Sequence, residues 1–154
     1  MTTTIRPVYL AALLLGLASA AGAVDDKLAA SLRGVMENNI RAYDAKDAAG
    51  VLGTVDTRSP DYDTMRAAIP EQFRDQDVKA TLVDFKYIGH DDEFAVARAK
   101  IKVEGPPGSV FVNNTSDRIV LFHQEGGVWK LWSDDVLGVD FEQRIGTKEP
   151  VSSR

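Results

Sequence analysis

The sequence predicts an α+β domain in which N-terminal helices pack on a curved antiparallel sheet. Three observations carry the prediction. Apolar residues recur at steps of three and four as far as Phe73, the period of a helix with one buried face. After Asp77 the chain turns rich in β-branched and aromatic residues, which suit a pleated, half-buried surface. Turn chemistry divides that second half at Asp91-Asp92, Gly105-Pro106-Pro107-Gly108 and Gly126-Gly127, so the strands are joined as hairpins and need no crossover helices.

Residues 1–23 read as a secretory leader. Arg6 supplies a positive start, Val8 to Leu17 a short apolar core, and Ala21-Gly22-Ala23 a small-residue cleavage site. The apolar core is shorter than the ~20 residues of a permanent membrane span. Cleavage after Ala23 places a mature protein of 131 residues in the periplasm or outside the cell. With no cysteine in the chain, a lipid-bearing cysteine and disulfides are both excluded, and the core must stabilise the fold unaided. The formal charge of −5 becomes −6 once Arg6 is lost. An acidic surface of this kind is a poor general binder of nucleic acid or anionic membrane.

Leu28, Leu32, Val35, Met36, Ile40 and Tyr43 line one face of a first helix over residues 25–46, with Asp25 and Asp26 at its electropositive end. Asp47 is placed to cap a second, short helix to Val55, although Gly50 and Gly53 weaken it. Ser59-Pro60 then reads as a cap followed by a first-turn proline. Tyr62, Met65, Ile69 and Phe73 continue at helical spacing, with Pro70 expected to kink or divide the segment. Strands follow over residues 78–88, 94–103, 110–124 and 128–136. One domain, residues 24–141, precedes a polar tail over residues 142–154.

From Leu28 to Val136 the chain resembles the nuclear transport factor 2-like (SnoaL-like) superfamily. The resemblance rests on the first helix ending Arg41-Ala42-Tyr43-Asp44-Ala45-Lys46-Asp47 and on the final hairpin, where Gly126-Gly127-Val128-Trp129-Lys130 follows a strand from Asp117. It implies a cone, with helices curled against the sheet and a pocket at the open end. It also implies frequent dimerisation through a sheet face. Members include steroid isomerases, dehydratases, polyketide cyclases, transport adaptors and immunity factors, so the resemblance implies a pocket and no particular reaction.

Turn geometry sets the expected registers. With Asp91-Asp92 as a two-residue turn, Leu82 faces Ile101, Asp84 faces Ala99 and Ile88 faces Ala95. Asp84 then joins Leu82, Ala95, Ala97 and Ala99 on the concave face, while Phe85, Tyr87, Arg98 and Lys100 form the outer one. A one-residue slip would exchange the faces. On the concave face Asp84 is a candidate acid or base, or else one end of a rim ion pair with Lys86. With Gly126-Gly127 as a two-residue turn, Arg118 faces Asp135, Phe122 faces Leu131 and Gln124 faces Trp129. Arg118 and Asp135 read as a cross-strand ion pair or as a pocket cation for an anionic ligand. Tyr43 is a second catalytic candidate if its hydroxyl points into the cone, and otherwise a core tyrosine. Trp129 and Trp132 fall on opposite faces, one of them core and the other at the mouth or an interface.

His90 reads as part of a solvated acidic turn, and His123 as an exposed residue near the hairpin end. The Asn113-Asn114-Thr115-Ser116 sequons read as coincidence, in a segment resembling a bulged edge. No metal, cofactor or nucleophile motif is present. These observations point to an exported domain that binds a small, partly apolar molecule or an envelope protein without catalysis, with homodimerisation through the sheet as a further expectation. Two alternatives stand beside it: an isomerase, dehydratase or cyclase using Asp84 and Tyr43, and an interaction module using the outer sheet face.

Overall fold

The computed structural model describes residues 15–75 and 77–142. Most of the expected leader and nearly all of the expected tail lie outside them. Helix α1 (Leu15–Asp44) is followed by α2 (Ala48–Gly53) and α3 (Tyr62–Asp75). Strands β1 (Lys79–His90), β2 (Phe94–Glu104), β3 (Asn114–Glu125) and β4 (Val128–Phe141) form one antiparallel sheet in the order β1-β2-β3-β4. The α+β class and the helix-covered sheet are as the sequence predicts. No helix among the described residues is long and apolar enough to cross a membrane.

Each helix follows from its local chemistry. α1 runs unbroken through Ala23, so the expected cleavage point lies inside a helix of the full chain. Asp47 caps α2, its carboxylate accepting the Gly50 N–H at 2.9 Å. α3 starts two residues beyond Ser59-Pro60 and contains Pro70 without dividing. α1 packs on the sheet through Leu32 and Met36, which meet the row Ala95, Ala97 and Ala99 and the larger Val120 and Phe122 in a buried core. Three alanines in a row keep the sheet floor low, so a helix carrying leucine and methionine can close on it without voids.

The registers match the expected ones near Leu82 and near the last turn, and depart between. Leu82 pairs with Ile101, but Asp84 pairs with Lys100 instead of Ala99, and His90 instead of Ile88 pairs with Ala95. Val83 and Ile88 are the extra residues of two β-bulges, and both are more than half exposed. Between the bulges alternation is inverted relative to expectation. Phe85 and Tyr87 turn inward against the core, while Asp84 and Lys86 face solvent. At the other hairpin Phe122 pairs with Leu131 and Gln124 with Trp129 as expected. Trp132 is then bulged, Arg118 pairs with Val136, and Asp135 pairs with Ile119 on the opposite face. β3 is a central strand, so the Asn113–Ser116 segment does not form an edge.

Core truncation should separate sharply from truncation at a bulge. Phe122→Ala, at a fully buried position, is expected to lose about 3–5 kcal/mol in urea unfolding. Val83→Ala should stay within about 0.5 kcal/mol of the parent. Equal losses would contradict the assigned faces.

Candidate functional site

Between the helices and the inner sheet face lies a cavity of about 510 Å³, within the usual range of small-molecule sites. Met36, Ile40 and Tyr43 of α1 form one wall and Met65, Ile69 and Gln72 of α3 another. Ile101 and Val103 of β2, Val120 of β3 and Leu131 of β4 form the floor. Phe111 stands at the side, brought there by the loop after β2. Gly105 in that loop lies so close to Phe111 that an added Cβ would come within 2.7 Å of its Cβ. Glycine is therefore what lets the aromatic ring approach the strand end.

Polar groups are few and mostly engaged. The Tyr43 hydroxyl donates to Gln72 Oε1 at 3.4 Å, its ring meets Phe73 edge-on, and burial pushes its pKa up. Asn39 donates to the Thr54 hydroxyl at 2.7 Å. Arg118 donates to the Asp134 carboxylate and, at 3.0 Å, to the Ser116 hydroxyl. Arg118, Asp134 and Asp61 are the charged groups of the lining. With Arg118 already satisfied by Asp134, the cavity holds no spare cation for an anionic ligand.

The sequence-predicted residues therefore separate. Tyr43 and Arg118 line the cavity. Asp84 does not: it faces solvent beside the Val83 bulge, its carboxylate accepting the Phe85 N–H at 2.9 Å. Asp135 is exposed on the outer face. The Trp132 bulge shifts the pairing by one, so Val136 stands opposite Arg118 and the arginine's ion-pair partner is Asp134, paired with Val120 on the same face. Trp129 packs against the core and is not part of the lining, whereas Trp132 borders the cavity.

A polar cluster that sequence reasoning missed holds one wall of the site in place. Val55 forms a parallel bridge with Leu131, which carries the segment after α2 along the edge of β4. Val55 faces the cavity, and Asp56 is turned away from it and fully buried. His123, expected at the surface, is only 7% exposed. Phe94 and Trp132 crowd its ring. Its Nδ1 lies 2.6 Å from Asp56 Oδ2 and 3.0 Å from Arg58 Nη2. One ring nitrogen cannot both donate to the carboxylate and accept from the guanidinium. The shorter contact to an acceptor assigns the hydrogen to Nδ1. Asp56 Oδ1 also accepts the Arg58 N–H at 2.8 Å, and Arg58 Nη2 reaches the Gln124 carbonyl at 3.3 Å. Desolvation pushes the Asp56 carboxyl upward, but the Arg58 amide, His123 and the Arg58 guanidinium together hold it below the ordinary value. The one signal in the sequence was the odd position of His123 next to the core residue Phe122. Its partner Asp56 lies 67 residues earlier in a loop with no periodicity. Among the described residues, no group of three or more histidine, aspartate or glutamate side chains could hold a metal ion.

The sequence profile of the anti-sigma-I factor RsgI9 C-terminal domain matches residues 34–141. No curated protein matches the sequence. Among solved structures, an NTF-2 like protein of unknown function from Shewanella oneidensis superposes with a TM-score of 0.55 at 12% identity, covering 69% of this chain and 95% of that one. One of the same description from Pseudomonas putida gives 0.59 at 12%, covering 71% and 84%. A provisionally assigned scytalone dehydratase from Novosphingobium aromaticivorans gives 0.62 at 9%, covering 85% and 99%. These likenesses show the nuclear transport factor 2-like fold and nothing finer.

The Asp56 cluster makes a signed prediction. A carboxyl whose folded pKa is depressed adds stability that is complete above its unfolded value, near 3.9, and disappears as pH falls through the folded value. Asp56→Asn should lose about 3 kcal/mol at neutral pH, the cost of breaking a buried pair. It should also show a flatter decline of stability than the parent below about pH 4. Parallel pH profiles from urea melts would contradict the assignment.

Proposed function

This chain belongs to the family of the anti-sigma-I factor RsgI9 C-terminal domain, and on that premise we propose that it is an exported, non-catalytic domain whose cone takes up a small, neutral, largely apolar molecule. The observation that carries the reading is the cavity itself. Its walls are aliphatic, thioether and aromatic, and its single arginine is neutralised by Asp134. Hydrophobic burial then supplies most of the affinity, and the few polar groups set orientation.

The separation of the candidate acid–base pair favours binding over catalysis. Tyr43 borders the cavity while Asp84 stands outside it, so the two cannot act on one substrate. The buried histidine is also turned away, its Nδ1 committed to Asp56. Export is supported by the leader pattern of residues 1–23. The family's name comes from an anti-sigma factor, which supports a role in which an occupied cone is read by a protein partner in the cell envelope. The outer sheet face open to such a partner, or to a second copy, carries Val83, Lys86, Ile88, Arg98 and Lys100. It lacks the aromatic pair Phe85 and Tyr87, which turn inward.

Two measurements test this reading. The neutral fluorophore N-phenyl-1-naphthylamine should bind the mature chain. Val103→Trp, which fills the cavity, should weaken that binding at least tenfold, while Val83→Trp on the outer face should leave it unchanged. No binding, or equal effects of the two variants, would defeat the cavity reading. Mass spectrometry of the exported protein should find an N-terminus at Val24, and a chain retained whole in the cytoplasm would refute export.

A further inference from the structure

Among the described residues, the sheet continues beyond the cavity as an exposed apolar strip. Val136, Val139 and Phe141 of β4 are 52%, 41% and 65% exposed. Across the register they pair with Arg118, Ser116 and Asn114 of β3. Arg118 and Asn114 line the cavity, and Ser116 lies between them on the same face. Directly paired residues share a sheet face, so the three apolar side chains extend the cavity floor outward. Strand alternation places Asp135 and Asp140 on the other face. The side continuous with the cavity thus carries the paired apolar residues, with the bulged Leu137, 57% exposed, beside them. From Val136 to Phe141 the strip is on the order of 15 Å long, at about 3.3 Å per residue.

At the inner end of the strip stands the Arg118–Asp134 pair, with the Ser116 hydroxyl beside it. A mutually neutralised cation and anion offer one donor and one acceptor side by side. That arrangement suits a hydroxyl, which donates and accepts together. It disfavours a carboxylate, which would meet Asp134 and Asp61 without a free cation.

We propose that the cone binds an elongated aliphatic molecule with a neutral hydroxyl head, the head at the Arg118–Asp134 pair and the chain leaving the cavity along Val136, Val139 and Phe141. This rests on the cavity reading above and extends it from a small apolar ligand to a long-chain alcohol. Continuity of the strip with the cavity floor identifies its occupant as the tail of the cavity's own ligand.

The test is competition of n-alkanols, from hexanol to tetradecanol, against N-phenyl-1-naphthylamine on the mature chain. The parent is compared with the double variant Val139→Ser/Phe141→Ser, both positions being exposed and outside the cavity lining. In the parent, affinity should rise about fourfold per methylene across the series, the fold-change equivalent of ~0.8 kcal/mol. The variant should match the parent for hexanol and fall at least tenfold behind it for tetradecanol, with an unchanged thermal melt. Tetradecanoic acid should bind more weakly than tetradecanol. Short alkanols that compete while parent and variant remain equal at every chain length would overturn the strip proposal and leave the cavity reading intact. That outcome would also be the one expected if the strip docks a protein partner. Tighter binding of the acid would overturn the neutral head. Failure of every alkanol and of the fluorophore to bind would overturn the cavity reading and this extension together.

Discussion

The buried carboxylate of Asp56 is the constraint on which the cone depends. The segment between α2 and α3 has no helix or long strand to hold it, yet it must carry α3 away from the sheet by a set distance. Asp56 anchors it through the Arg58 amide and the His123 ring, and the backbone of Thr54 and Asp56 exchanges hydrogen bonds with Leu131. Ser59 adds a 2.6 Å bond to the Trp132 carbonyl. A carboxylate this deep is tolerable only because each oxygen is met by donors. Satisfied in that way, it ties three segments distant in sequence to one point, from which α3 faces the sheet across an open space.

The two halves of the sheet floor serve different ends. Under α1 the alanine row of β2 lets the helix sit close, producing a buried core with Leu32, Met36 and Phe122. Further along the same strands Ile101 and Val103 face α3 across the cavity. One sheet therefore supports both the stabilising core and the binding space, and the division between them follows the size of residues along β2. The loop holding Phe111 closes one side, and the Val55 segment lies along the edge of β4.

Local chemistry made the architecture legible and left the site half-legible. The helical period of Leu28 to Tyr43, the Asp47 cap and the turn glycines each act over a few residues, and each element appears where those signals put it. Register is a longer sum. Its value at Leu82 agrees because the turn lies one residue later than expected, pairing His90 with Ala95, and the two bulges on β1 take up the two-residue offset. Between those bulges Asp84 and Phe85 exchange faces, which removes a supposed catalytic base and adds a core aromatic. No local pattern marks Val83 or Ile88 as extra residues. Arg118 kept its face because β3 is regular, whereas its partner moved by one position because β4 is not. The Asp56–His123 contact was invisible for a different reason: nothing in a loop sequence announces which strand it will lie against.

The bulges also govern where this fold can change length. Val83, Ile88, Trp132 and Leu137 each stand outside the pairing count of their strands. Loss of one of them straightens the strand and leaves every later residue on its present face. Loss of a paired residue away from a bulge, such as Val139, instead turns the following residues over and carries Asp140 to the inner face opposite Ser116. Insertions and deletions in strands of this fold are therefore confined by geometry to a few positions, and sequences that drift in length can keep the cone only by drifting there.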